Sequence, residues 1–368
     1  MSKPDMTVNE LQQMLVEGKP VTIIDVRPSA QRSEWKIEGS QYVDAYQSLN
    51  QGDTSLMDAL EIPGDTTVVT VCAAGRTSQL ASDALRQRGI NAVSLEGGMK
   101  AWNYAWNTAE LSAGEMTVLQ VRRVAKGCLS YIAGSAGEAV VVDASLDPGI
   151  YVELARQREW QIKYVMDTHV HADYISRTID LARATGAVHL FTEHAEVDYP
   201  FTPLADGDVV PFGNAELKAV LTPGHTPESV SYLLNDSLLL TGDTLFTDGV
   251  GRPDLKADHQ QGMLKAAQLF KTLRKILILN DNGLMILPAH TSDSIAFDGK
   301  LIGDQLSNLA QNIGLLKLEK DAFIEETMKR ISAAPANYLQ IAAVNKSGSY
   351  EGINPADLEA GANRCAVA

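Results

Sequence analysis

Five short stretches carry the residues able to do chemistry: CAAGRTS at 72–78, DTHVHADY at 167–174, TPGHTPES at 222–229, TGDTLF at 241–246 and LPAH at 287–290. The first places a thiol, Cys72, at the end of an apolar run and just ahead of a helix. A thiol reacts as its thiolate, and a helix N-terminus and a nearby cation both favour that form. Cys72 has both, with Arg76 four residues on and a helix expected from about Thr77. The amides of Ala73, Ala74, Gly75, Thr77 and Ser78 can form a cradle for an anion. Sulfur or phosphate chemistry follows from that arrangement. The other four stretches hold imidazoles and carboxylates: His169, His171 and Asp173, then His225, Asp243 and His290. Such donors suit zinc or iron. The remaining histidines, His189, His194 and His259, have no comparable context.

The elements needed to position these groups are legible around them. From 7 to 107, PVTIIDVR, TTVVTVC and AVSLEGG read as strands separated by helical stretches, which implies a mainly parallel sheet. The helix after Cys72 carries Leu80, Ala81, Ala84 and Leu85 on one face and ends at Gly89. NTAELSAGE is small and polar and reads as a linker, residues 108–115. From 116 the pattern changes. MTVLQVRRV, CLSYIAG and EAVVVDAS read as strands, and then IKYVMDTHVH, ELKAVLTPGH, SLLLTGD and GLMILPAH are apolar runs that each end in metal-capable residues. Ligands at strand ends gather at one rim of a sheet, where α/β sites form. After 300 come two expected helices, DQLSNLAQNIGLL and KDAFIEETMKRI, and an irregular tail. The domains expected are therefore 1–107, 116–300 and a C-terminal extension at 301–368.

The bulk properties agree. At 368 residues the chain is too long for one ordinary core. No apolar run is long enough for a membrane span, and MSKPDMTVNELQQML has no signal-peptide pattern. A net charge of −15 argues against a nucleic-acid-coating surface. Three scattered cysteines indicate a reduced, cytoplasmic setting. Cys128, on an apolar strand, is expected in the core, and Cys365, near the end of the chain, as a mobile free thiol. Trp102 and Trp106, four apart, are expected to share a packing face. A homo-oligomer is left open.

Residues 7–107 resemble a rhodanese (sulfurtransferase) domain. The resemblance lies in IIDVRPSAQRSEWKIEGS, the CAAGRTS loop and LEGGMKAWNYAW. In that family the loop cysteine carries sulfane sulfur as a persulfide held by the loop amides. The six-residue span Cys72–Thr77 has the sulfurtransferase length, whereas related phosphatases use a longer loop. Trp35-Lys36 stands where the family often has Gly-His; that histidine is not the sulfur carrier.

Residues 116–300 resemble the metallo-β-lactamase fold, an αββα sandwich whose usual signature is H-x-H-x-D-H. Here the signature is HVHADY, with Tyr174 at the last histidine. In two-metal members such as glyoxalase II that histidine and the aspartate help hold the second metal, so Tyr174 points to a single metal. The set THVHADY, PGHTPESVSYLL, TGDTLFTDGVGRPDL and LPAH is similar to the persulfide dioxygenases. The resemblance implies one Fe(II) per chain held by His169, His225 and Asp243, with zinc as the alternative. His171, Asp173, Tyr174 and His290 would surround the ligands. Arg177 either projects into the entrance or lies on the solvated face of a helix.

The resemblances together imply a bifunctional sulfur enzyme. A low-molecular-weight persulfide and O₂ would give thiol and sulfite at the iron, and Cys72 would pass sulfane sulfur between thiosulfate and a thiol, in a direction the sequence does not fix. The alternatives are a zinc thioester hydrolase of the glyoxalase II type carrying a rhodanese domain, and a non-catalytic sulfur carrier or sensor. No nucleic acid or membrane partner is expected.

Overall fold

The computed structural model describes residues 5–367 apart from 256, 280–282, 293–294, 332–333, 335–336 and 362–364. The N-terminal part is built on four parallel strands, β1 (Val21–Asp25), β2 (Gln41–Tyr42), β3 (Thr67–Val71) and β4 (Ala92–Ser94), in the order β2-β1-β3-β4. β1, β3 and β4 are largely apolar and buried because both faces of the sheet are covered there, whereas the short edge strand β2 is exposed. On one face the helix Arg76–Gln87 packs Ala81, Ala84 and Leu85 against Ile24, Val26 and Val68. On the other, Ile23, Val69, Val71 and Leu95 meet Leu11 and Trp102.

The sandwich expected next is present. One sheet holds β5 (Trp106–Ala113), β6 (Met116–Arg123), β7 (Leu129–Ser135), β8 (Glu138–Val142), β9 (Gln161–Met166), β10 (Val188–Thr192) and β11 (Thr202–Leu204), in sequential order. The second holds β12 (Val209–Phe212), β13 (Ala215–Leu221), β14 (Val230–Leu234), β15 (Leu238–Gly242), β17 (Met285–Pro288) and β18 (Asp304–Gln305); a separate pair, β16 (Val250–Gly251) and β19 (Ala366–Val367), lies apart from both. Val118, Tyr131, Val140 and Met166 of the first sheet face Leu217, Tyr232, Leu240 and Leu287 of the second, in one apolar cluster that continues into the N-terminal domain. Helices Pro148–Arg156 and Thr178–Thr185 cover the outer face of the first sheet through Tyr151, Leu154 and Leu181. Helix His259–Ile278 covers the second through Leu269, Leu273 and Ile276.

Four expectations change. The expected linker at 108–115 is largely β5, paired antiparallel with β6 from Trp106 opposite Arg123 to Ala113 opposite Met116. Its mixed small and polar composition is that of an edge strand with one half-wet face. Trp102 and Trp106 therefore do not share a helix face: Trp102 is buried at the end of helix Gly98–Trp102, its ring 6.2 Å from Phe297, and Trp106 opens β5. The helices expected after 300 are present at Leu306–Asn312 and Lys320–Lys329, but the tail is not irregular. It contains helices Tyr338–Ser347 and Pro355–Leu358 and ends in β19. Cys365 is not a mobile thiol, because β19 pairs with β16 and leaves it buried.

Candidate metal centre and sulfur-transfer loop

The cysteine loop leaves β3 and enters helix Arg76–Gln87 through Gly75, whose φ of +94° is left-handed. Cys72 Sγ accepts from the Gly75 amide at 3.2 Å and from the Ser78 hydroxyl at 3.3 Å. Ser78 is held in turn by Ser94 Oγ at 2.8 Å, at the end of β4. The GlyGly of LEGGMKAW clamps the loop from the opposite side. Met99 and Lys100 amides donate to the carbonyls of Cys72 and Ala73, at 2.9 and 3.1 Å. A Cβ on Gly98 would stand 2.3 Å from the Cys72 carbonyl oxygen, and its φ of +56° also favours glycine. Ala74 and Arg76 are exposed, whereas Thr77 and Ser78 are buried. Arg76 opens the helix and is exposed, while the sulfur accepts from the Gly75 amide and the Ser78 hydroxyl.

The metal-capable residues all lie in loops that leave strand ends. His169, His171 and Asp173 follow β9, His225 follows β13, Asp243 follows β15 and His290 follows β17. Among the described residues the folded chain gathers most of them into neighbouring groups that share Asp243 and His290. One ligating atom each of His169, His225 and Asp243 lie within 4.8 Å of one another, all three residues buried. His169 Nε2 is 3.7 Å, and His225 Nε2 3.5 Å, from Asp243 Oδ2. Donors held about 2.1 Å from one ion stand about 3.0–3.4 Å apart, so the spacing is that of a ligand set. His169 Nε2 and Asp243 Oδ2 are buried with no hydrogen-bond partner, which is costly unless something else binds them. The outer atoms of the same residues are engaged. His169 Nδ1 meets Thr168 Oγ1 at 3.0 Å, His225 Nδ1 donates to the Arg252 carbonyl at 2.8 Å, and Asp243 Oδ1 accepts from His290 Nδ1 at 2.5 Å. Burial lowers the proton affinity of both His169 and His225, favouring the neutral ring a metal needs. Burial pushes the Asp243 carboxyl up, but His290 and the two ligand imidazoles hold it well below the ordinary range. These residues fit a metal with open positions.

The other predicted residues are placed elsewhere. His290 is caught between two carboxylates, its Nε2 2.9 Å from Asp173 Oδ2. His171 turns away from the ligand set. Its Nε2 lies 3.1 Å from Asp143 Oδ1, 3.7 Å from Asp167 Oδ1 and 2.9 Å from the Tyr174 hydroxyl. Burial alone would lower the His171 pKa, but Asp143 and Asp167 outweigh it and raise it to about 10. Tyr174 also donates to the Asp143 carbonyl at 3.3 Å and stacks on His171, 4.3 Å between centroids. Arg177 neither enters the mouth nor lies on a solvated face. It is buried, with its guanidinium 3.4 Å from Glu359 and over the ring of Tyr350.

Several contributors carry no motif of their own. Asp143 closes β8 with a positive φ of 59° and accepts from the Thr168 amide and hydroxyl, fixing the start of the His169 loop. Cys128, expected as inert core, is buried but donates its thiol to Asp173 at 3.5 Å. Cys365 joins Asp243 and His290 in a second group within 4.8 Å. The only available signal for Asp143 and Asp167 was an aspartate at the end of an apolar run. Cys365 and Glu359 offered none.

Known proteins agree with this architecture. Residues 7–105 match the rhodanese-like domain and residues 123–290 the metallo-beta-lactamase superfamily. The mouse protein "Persulfide dioxygenase ETHE1, mitochondrial" is 29% identical over 184 residues, 49% of this chain and 70% of its own length. Its human counterpart is 30% identical over 155 residues, 42% of this chain and 59% of its own length. A hydroxyacylglutathione hydrolase of Anaeromyxobacter dehalogenans is 35% identical over 170 residues, 46% of this chain and 63% of its own length. For the last two the chain spans less than two thirds of the relative. Among solved structures, a metallo-beta-lactamase from Staphylococcus aureus superposes with a TM-score of 0.59 at 27% identity, covering 64% of this chain and 74% of that one. ETHE1 from Myxococcus xanthus shares the fold, with a TM-score of 0.53 at 20% identity over 66% of this chain and all of that one. The chain thus joins a rhodanese-like domain to a domain of the metallo-β-lactamase superfamily and is a homologue of the persulfide dioxygenase ETHE1.

Proposed function

We propose that the chain oxidises a low-molecular-weight thiol persulfide with O₂ at one iron, and exchanges sulfane sulfur between thiosulfate and thiol at Cys72. The overall oxidation is RSSH + O₂ + H₂O → RSH + H₂SO₃. The observation that carries the reading is the fate of the histidines. Tyr174 stands where a two-metal site needs an imidazole and bonds to His171 and Asp143, while His290 is held between Asp173 and Asp243. His169, His225 and Asp243 form a buried group with ligating atoms within 4.8 Å of one another, and His169 Nε2 and Asp243 Oδ2 have no hydrogen-bond partner.

When bound, a ferrous ion supplies the electron transfer that lets O₂ react with sulfur. The protein supplies position. Thr168, the Arg252 carbonyl and His290 fix the three ligands by their outer atoms. A cavity of about 460 Å³ opens beside His225, lined by Val170, Leu255, Lys265, Lys346, Glu196 and Glu228. Paired signs of charge around an apolar floor suit a carrier thiol that bears both amino and carboxylate groups.

In the rhodanese-like domain, the Cys72 thiolate would attack the sulfane sulfur of thiosulfate. The sulfur–sulfur bond breaks, sulfite leaves with the electron pair, and Cys72 holds a persulfide. A carrier thiol then takes the sulfane sulfur as RSSH and restores the thiolate. In reverse, Cys72 returns sulfane sulfur to sulfite. The Gly75 amide and Ser78 hydroxyl steady the sulfur, and Arg76 meets the incoming anion. The hydrolase relative supports a second reading, zinc-dependent thioester hydrolysis. Metal analysis of anaerobically purified protein separates the two: one iron per chain is expected, and two zinc ions would favour the hydrolase.

A further inference from the structure

The end of the chain returns to the ligand set. Val367 and Ala366 pair with Val250 and Gly251, and Val367 is buried with Val250, Leu245 and Leu269. The Cys365 carbonyl accepts from the Arg252 amide at 3.1 Å. Arg252 in turn offers its own carbonyl to His225 Nδ1 at 2.8 Å, so the tail holds the residue that orients one ligand. There is no slack in this layer: a Cβ on Gly251 would stand 1.9 Å from the Asp243 carbonyl oxygen and 3.0 Å from His225 Cβ. The Cys365 side chain is 2% exposed and packs beside the Asp243 carboxylate. Its sulfur lies with ligating atoms of Asp243 and His290 within 4.8 Å.

We propose that residues 365–367 are a strap that completes the metal centre, with Cys365 as a positioning residue that donates its S–H to Asp243 while the strap backbone, through Arg252, sets the ring of His225. An aspartate carboxylate turns about its Cβ–Cγ bond, and one donor leaves that rotation partly free. His290 holds Oδ1, and a second donor from Cys365, within 4.8 Å, would fix the plane with Oδ2 aimed at His169 and His225. Loss of such an outer partner typically costs 10–100-fold in metal affinity. Linkage requires the converse: a metal that binds better with the strap in place must also hold the strap down. The inference rests on His169, His225 and Asp243 being the ligands.

The test uses the full chain and Co(II) as the probe, titrated against a competing chelator, with the visible spectrum recorded for each variant. Cys365→Ala is expected to weaken Co(II) by about 10–100-fold and to shift its ligand-field bands. Cys365→Ser, which keeps a donor, is expected to recover most of both. Co(II) is expected to slow carboxypeptidase removal of the tail from the wild-type protein. A chain ending at 364 should bind Co(II) at least as weakly as Cys365→Ala. Unchanged affinity and spectrum in Cys365→Ala, or a Cys365→Ser variant no better than Ala, would overturn the hydrogen-bond role. Carboxypeptidase digestion indifferent to Co(II) would overturn the strap. His225→Ala separates the layers: if it binds Co(II) as tightly as wild type, the ligand assignment itself fails, whereas loss there with no effect at Cys365 removes only the strap.

Discussion

Glu359 offers the sharpest test of how the C-terminal extension supports the site. Its carboxylate is fully buried and lies 2.9 Å from the equally buried Arg123. It also accepts from the Ile175 amide at 3.0 Å and from Arg177 at 3.4 Å, while its carbonyl accepts from Lys126 at 2.9 Å. Arg123 holds the Asn103 carbonyl at the end of the N-terminal domain and the Ser145 carbonyl after β8. One carboxylate therefore ties three parts of the chain to the loop that carries His169. Glu359→Ala leaves Arg123 buried without its counter-charge, a change that costs about 3–5 kcal/mol. Glu359→Gln keeps an acceptor but not the charge, and should cost about 1.5–3 kcal/mol. The assay is urea unfolding together with hydrogen exchange at the Ile175 amide, which loses its acceptor. For Glu359→Ala, exchange should accelerate by about two to three and a half orders of magnitude, following tenfold per 1.4 kcal/mol. The double variant Arg123→Met with Glu359→Leu should recover only part of the stability, because it removes the uncompensated Arg123 charge but leaves the Ile175 amide, Arg177 and the Asn103 and Ser145 carbonyls without their partners. A Glu359→Ala protein with the wild-type urea midpoint and unchanged Ile175 exchange would refute the reasoning.

Two further outcomes test the sulfur-transfer loop. Cys72→Ser should abolish thiosulfate:thiol sulfur transfer and leave oxidation of an added persulfide near the wild-type rate, because the two sets of groups sit in different domains; equal loss of both activities in a folded variant would contradict this. Arg76→Ala should weaken thiosulfate by about 1.5–3 kcal/mol, about ten- to hundredfold in kcat/KM, if the guanidinium binds the incoming anion. Arg76→Lys should recover only part, since a point charge does not reproduce a planar fork. Unchanged thiosulfate kinetics in Arg76→Ala would leave the Gly75 amide and Ser78 as the whole of the anion site.

The parts of the molecule legible in the sequence are those set by local pattern. Each apolar run ending in TH, PGH, TGD or LPAH is a strand followed by a loop, because a buried strand cannot continue through polar residues and the chain must turn at the sheet rim. The close approach of Gly98 to the Cys72 carbonyl emerges only in the fold. What the sequence hid depends on long-range pairing. NTAELSA alternates too weakly to announce β5, since an edge strand with one wet face needs few apolar residues. Arg177 looks like an ordinary helix-surface cation until Glu359, 182 residues away, is folded against it. Cys365 looks like part of a loose end until β19 finds β16. His171 sits in the motif beside His169, yet Asp143 and Asp167 claim its ring, and only the fold brings those carboxylates together.

The central claim is that His169, His225 and Asp243 support oxidation of persulfide sulfur by O₂. The most direct measurement is O₂ uptake and sulfite release on a defined low-molecular-weight persulfide, using iron-loaded wild-type protein and His225→Ala. The account predicts one O₂ consumed and one sulfite formed per persulfide by the wild type, with both lost in His225→Ala while thiosulfate transfer at Cys72 persists. Thioester hydrolysis by the wild type with no O₂ uptake on any persulfide would contradict it.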